Sequence, residues 1–109
     1  KTEWDADGYY LCPATVEDDL AALLRKTALG AFRALGCLDV GRVDIRLGRD
    51  GLPQVLEVNP LPGLTPAFSD LPRVALAAGV PYERLVNLIL DAALERYGLV
   101  PAHSLPAIA

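Results

Sequence analysis

Arg42 and Asp44 stand two residues apart in one stretch of alternating polar and apolar residues, and Glu57 and Asn59 stand two apart in the next. Side chains two apart on a β-strand point to the same side of the sheet. If Val43, Ile45 and Leu47 pack on the same core as Leu56 and Val58, then Arg42, Asp44, Glu57 and Asn59 all lie on the opposite face. Any register that preserves the two faces shifts by whole two-residue steps, so Asp44 and Glu57 stay directly or diagonally opposed. Two carboxylates and an amide oxygen then converge. Such hard oxygen donors suit Mg²⁺, which takes octahedral geometry and shares its shell with water and phosphate, and Glu57 is placed to bridge two ions. The plainer reading of these residues is a solvated strand face carrying an exposed Arg42–Glu57 salt bridge of little energetic weight.

The segment beyond Glu57 adds rigid donors. Asn59-Pro60-Leu61-Pro62-Gly63-Leu64-Thr65-Pro66 cannot continue either regular element, so it is a stiff loop. Gly63 allows a close approach that a side chain would block, and its N–H is a candidate donor to a developing oxyanion. Ser69, at the entrance of a helix, is suited to hold a carboxylate with its hydroxyl and the free helical N–H groups. For Ser69 and Asp70 taken alone, ordinary helix capping is the competing account.

These residues need elements to hold them. Val16, Leu20, Leu23, Leu24, Ala31 and Leu35 recur at helical spacing, which predicts a helix over roughly 16–35 with Thr15 as N-cap and Gly36 as its left-handed end. Val40 to Leu47 and Gln54 to Asn59 read as the strands of a β-hairpin with a four-residue connection, Gly48 to Gly51, and Pro53 fraying the near end. A short helix from Leu71 to Ala78, with Pro72 in its first turn, stops at Gly79. A further helix starts at Tyr82, carries Tyr82, Leu85, Val86, Ile89, Ala93 and Tyr97 on one face, and closes at Gly98. Residues 1–12 read as a loop or edge segment, and 99–109 as an irregular surface tail. The fold class is α/β (α+β), an antiparallel hairpin packed with helices.

Composition narrows the function. At 109 residues and 52% hydrophobic the chain is one ordered unit rather than several domains or a disordered segment. A net charge of −4 with no basic stripe excludes a nucleic-acid partner. No apolar run is long enough to cross a bilayer, and Lys1-Thr2-Glu3-Trp4-Asp5 has no signal-peptide core, which points to a cytoplasmic protein. Cys12 and Cys37 are expected as reduced packing residues and His103 as a bystander. The absence of methionine marks a processed chain or a piece of a longer one.

Arg42-Val43-Asp44, then Leu56-Glu57-Val58-Asn59-Pro60-Leu61-Pro62-Gly63-Leu64-Thr65, closely resembles the terminal motif of D-alanine–D-alanine ligases in the ATP-grasp superfamily. The resemblance extends through Cys12-Pro13-Ala14, Ala34-Leu35-Gly36-Cys37, Ser69, Leu71-Pro72 and Ala78-Gly79. It implies the C-terminal portion of an ATP-grasp ligase over residues 1–98, lacking the N-terminal and central domains and inactive alone. By resemblance Asp44, Glu57 and Asn59 bind two Mg²⁺ ions on ATP, Leu56 borders adenine, and Lys1 lies near a phosphate-contacting lysine. Arg42 and the Gly63 N–H support the reacting acyl centre, and Ser69 holds the second amino acid's carboxylate. The implied reaction joins amino acids, D-alanine foremost, through an acyl phosphate to build peptidoglycan precursors. Two departures bear on the substrate. Ser69 follows Gly63 by six residues rather than the usual five, and Asp70 replaces a normally apolar residue. The alternatives are a ligase for another amino acid or a hydroxy acid, and a non-catalytic α/β interaction module. Exposed apolar surface, and with it self-association such as a homodimer, is also expected.

Overall fold

The two alternating stretches form strands β1 (Arg42–Leu47) and β2 (Pro53–Asn59), an antiparallel pair, in the computed structural model, which describes residues 10–99. Arg42 pairs with Asn59, Val43 with Val58 and Asp44 with Glu57, but Ile45 then pairs with Val55. Leu56 is therefore the extra residue of a β-bulge, which corrects the expectation that it shares the buried face. The reason lies in the consecutive apolar residues Val55 and Leu56. A continuous ladder would place Val55 opposite Arg46 on the polar face. One inserted residue instead puts Val55 beside Ile45 and Gln54 beside Arg46, so each face keeps its character. Leu56 remains 66% exposed. The connection runs over 48–52, one residue longer than expected, and is closed by a bond from the Gly48 N–H to the Leu52 carbonyl. Pro53 does not fray but pairs with Leu47 as the first residue of its strand, where proline is tolerated.

Helix α1 (Asp18–Ala34) starts two residues later than the periodicity implies, after Glu17 rather than Thr15, and without a side-chain cap. Asp18 and Asp19 in the first turn and Arg33 in the last complement the helix dipole. Helices α2 (Asp70–Ala77) and α3 (Tyr82–Arg96) follow the loop. All three helices end alike, with a left-handed glycine and paired bonds back to the last turn, as in Gly36 N–H to Arg33 and Cys37 N–H to Phe32.

Helix α1 lies on the hairpin, and α2 packs against α3. Pro72 and Ala75 of α2 and Leu85 of α3 are buried, as is Pro62 of the loop. Phe32 of α1 sits so close to Gly41 that a Cβ there would be 2.7 and 2.9 Å from its ring carbons. Gly41→Ala is accordingly expected to destabilise by about 1–3 kcal/mol through overpacking, measured as a lower urea midpoint at unchanged slope.

A second tie joins α3 to the turn after α1. Arg96 donates from Nε and Nη2 to Asp39 at 3.1 and 2.9 Å, and its guanidinium stacks 4.5 Å from the Tyr97 ring centre. The hydrogen bonds from Arg96 hold the Asp39 carboxyl below its ordinary value of 3.8, against an opposing effect of burial. The pair's stabilisation is thus complete above that value and is lost as pH falls through the lowered one. In acid unfolding, Asp39→Asn should remove this part of the loss of stability below about pH 4 while leaving the profile above pH 5 flat.

The architecture is mixed α/β, as expected, with a thin core. Leu35, Leu61, Phe68 and Leu76 are among many large apolar side chains left exposed, which agrees with the expected apolar surface. Cys12 and Cys37 are free, half-buried thiols. Among the described residues no helix is long and apolar enough to cross a membrane. Lys1, His103 and nearly all of the tail lie outside the described residues.

Candidate active site

The direct pairing of Asp44 with Glu57, and of Arg42 with Asn59, brings all four polar side chains to one face at the open end of the hairpin. Arg42 organises the group. Its Nε donates to Asp44 Oδ1 at 2.9 Å, its Nη2 to Asp44 Oδ2 at 3.2 Å and to Glu57 Oε1 at 3.3 Å. The guanidinium is raised above its ordinary affinity for protons chiefly by the hydrogen bonds to Asp44 and the charge of that residue. The Arg42–Glu57 salt bridge of the plainer reading is therefore present, but as part of a larger set.

A third carboxylate comes from outside the hairpin. Asp70, in the first turn of α2, places Oδ2 3.8 Å from Arg42 Nη1. Three carboxylates thus face one guanidinium, leaving two negative charges in excess. Asn59 turns its amide oxygen to the loop, where it accepts the Leu61 N–H at 3.0 Å.

The loop is held at both ends. Tyr82, the first residue of α3, donates its hydroxyl to the Leu64 carbonyl at 2.7 Å. Ser69 occupies the N-cap position of α2, yet its side chain makes no cap bond. Its hydroxyl instead accepts the Thr65 N–H at 3.0 Å, which corrects the capping account of this residue. Ala67 takes up a left-handed conformation, φ 58°, within the tight 65–69 turn. Gly63 lies directly against Ser69: a Cβ on Gly63 would be 2.8 Å from Ser69 Oγ.

Among the expected site residues the structure therefore gathers Arg42, Asp44, Glu57 and Asn59 in one group and Gly63 with Ser69 in another. Asp70 links the second group to the first through Arg42. Leu56 stands on the bulge beside Glu57, and Lys1 is outside the described residues. Two contributors were not foreseen. The sequence pattern shows Asp70 as a charge but not as a partner of Arg42, and Tyr82 only as part of an apolar helix face. A phenol one residue after proline, at the first position of a helix, was the available signal for the second.

The donor set fits a hard cation in its chemistry. Among the described residues no three His, Cys, Asp or Glu side chains form a metal cage. Magnesium, however, is commonly held by one or two carboxylates with water and phosphate completing its shell. Two opposed carboxylates with surplus negative charge meet that requirement, provided Arg42 yields the oxygens it now occupies.

Comparison with known proteins gives the family of this chain, in which a two-stranded hairpin packs against α1 and a proline-rich loop leads to α2 and α3. Residues 1–91 match the model of the D-ala D-ala ligase C-terminus, and the chain belongs to that family. It is 49% identical over 86 residues to the uncharacterized protein y4sG of Sinorhizobium fredii, covering 79% of this chain and 25% of that protein. It is 46% identical over 87 residues to the D-alanine–D-alanine ligase of Cupriavidus metallidurans, covering 80% of this chain and 26% of the ligase. The crystal structure of the Bacillus anthracis D-alanine–D-alanine ligase complexed with ATP superposes with a TM-score of 0.69 at 38% identity, over 78% of this chain and 28% of that one. The chain thus spans about a quarter of the length of these relatives.

Proposed function

We propose that residues 1–98 are the C-terminal portion of an ATP-dependent carboxylate–amine ligase in the cytoplasm and supply one wall of its nucleotide site. The observation that carries this reading is the direct opposition of Asp44 and Glu57 on the face shared with Arg42 and Asn59. Kinship with D-alanine–D-alanine ligases, one of them complexed with ATP, supports it.

In this reading Asp44, Glu57 and Asn59 hold two Mg²⁺ ions, which when bound supply charge screening for the triphosphate. Leu56, exposed on its bulge, borders the adenine, and Lys1 reaches a phosphate. ATP phosphorylates the carboxylate of a first amino acid, for which D-alanine is the leading candidate. The amine of a second substrate attacks the acyl phosphate, forming the peptide bond and releasing ADP and phosphate. Arg42 and the Gly63 N–H aim positive charge at the oxyanion of that step. Ser69 offers its hydroxyl proton to the acceptor, since its oxygen is already used by the Thr65 N–H. The product dipeptide serves peptidoglycan synthesis. The other wall belongs to preceding domains, so this chain alone does not turn over. The exposed apolar side chains are the surface those domains or a second copy cover.

The test is phosphate release from Mg-ATP by the full-length enzyme, with and without D-alanine. Stimulation by D-alanine supports the reading. No stimulation by any amino acid or hydroxy acid, together with no metal-dependent nucleotide binding, replaces it with an interaction module.

A further inference from the structure

Ser69 and Thr65 are tied to each other twice. The Thr65 N–H donates to Ser69 Oγ at 3.0 Å, and the Ser69 N–H donates to the Thr65 carbonyl at 3.0 Å. The two residues therefore move as one unit, and whatever sets the direction of the Thr65 N–H also sets the Ser69 hydroxyl. That N–H belongs to the same peptide group as the Leu64 carbonyl, which accepts the Tyr82 hydroxyl at 2.7 Å. A trans peptide group is planar, with its oxygen and its N–H on opposite edges. One plane is thus gripped at both edges, by the start of α3 on its oxygen and by Ser69 on its N–H.

The grip has a firm base. Tyr82 opens α3, whose Leu85 is buried, and α3 packs on α2, whose Pro72 and Ala75 are buried as well. A hydrogen bond to the carbonyl also polarises the amide and strengthens donation from its N–H. Leu64 is 37% exposed, so water can satisfy its carbonyl in place of the phenol, but an exchanging water does not fix the plane. On the ligase reading, in which the Ser69 hydroxyl proton meets the second substrate, we propose that Tyr82 is a positioning residue for the acceptor. It acts through the Leu64–Thr65 peptide and aims the Ser69 hydroxyl without touching the substrate itself.

The test is Tyr82→Phe in the full-length enzyme, which removes the hydroxyl and keeps the ring. Initial rates of ADP release are fitted over a wide range of D-alanine for two successive binding steps, the second being the acceptor's. Where turnover requires a different second amino acid or a hydroxy acid, the KM of that compound is the constant read. The acceptor constant is expected to rise about tenfold, with the donor constant and the KM for ATP within about twofold of wild type. A change confined to folding would instead lower the active fraction, and with it kcat, and leave every KM alone. Ser69→Ala supplies the second arm: in that background Tyr82→Phe adds less than about twofold, because the group it positions is gone. Amide hydrogen exchange over residues 63–69 is faster in Tyr82→Phe than in wild type. An unchanged acceptor constant, unchanged exchange, or losses that multiply in the double variant overturns the role of Tyr82 and leaves the ligase standing. Absence of turnover by the wild-type enzyme with D-alanine and with any other amino or hydroxy acid overturns the ligase reading and this proposal together.

Discussion

Asp44→Asn combined with Glu57→Gln is expected to lower ATP turnover in the full-length enzyme by about two to three orders of magnitude while leaving the hairpin folded. Both substitutions keep shape and hydrogen-bonding capacity and remove charge, so β1 and β2 retain their register. Side chains that are 39% and 62% exposed contribute little to stability through their ion pairs with Arg42. Function is the sensitive quantity on the proposed reading, in which the pair holds the negative charge that attracts a divalent cation to this face. A Mn²⁺ titration followed by electron paramagnetic resonance separates the causes. Lost ion binding with an unchanged circular dichroism spectrum assigns the defect to the carboxylates. Intact ion binding with lost turnover assigns it to Arg42, freed from its partners and misdirected. Turnover within tenfold of wild type would remove the hairpin from the proposed chemistry.

The alternation of Arg42, Asp44 and Arg46 with Val43, Ile45 and Leu47 made the polar face legible, because a period of two has only one outcome on a strand. Opposition of Asp44 and Glu57 was legible for the same reason, and the structure realises the direct form of it. The bulge was not. Val55 and Leu56 are both apolar, and alternation by itself does not say which of them leaves the ladder. Leaving out either one keeps an apolar residue opposite Ile45 and Gln54 opposite Arg46, and the structure leaves out Leu56. Contacts made across the loop were also illegible. Arg42 and Asp70 are separated by a segment whose path depends on the Tyr82 to Leu64 bond, and neither partner of that bond signals the other in the sequence. Ser69 illustrates competition between local motifs. Its position favours a cap, but the tight turn brings the Thr65 N–H within 3.0 Å of its hydroxyl and takes the same oxygen.

Gly63→Ala should reduce kcat/KM about a hundredfold, chiefly by moving Ser69. The added Cβ would stand 2.8 Å from Ser69 Oγ and 3.3 Å from its Cβ, so the hydroxyl must rotate away or the loop must shift. Either movement breaks the bond that Ser69 accepts from Thr65. The loop cannot retreat freely, because Pro62 is buried on one side and Tyr82 holds the Leu64 carbonyl on the other. A displacement of about 1 Å in a positioning group is enough to cost two orders of magnitude in rate. A double-mutant cycle with Ser69→Ala identifies the route. Removing the hydroxyl relieves the closer of the two contacts, so the double variant should lose much less than the product of the single losses. Strict multiplication would mean instead that Gly63 acts through its own backbone, as a donor disturbed directly, with Ser69 an independent participant. The two routes also differ in stability: a steric shift of the loop lowers the urea midpoint of Gly63→Ala and is partly restored by Ser69→Ala, whereas a purely electronic role for the N–H leaves that midpoint where it was.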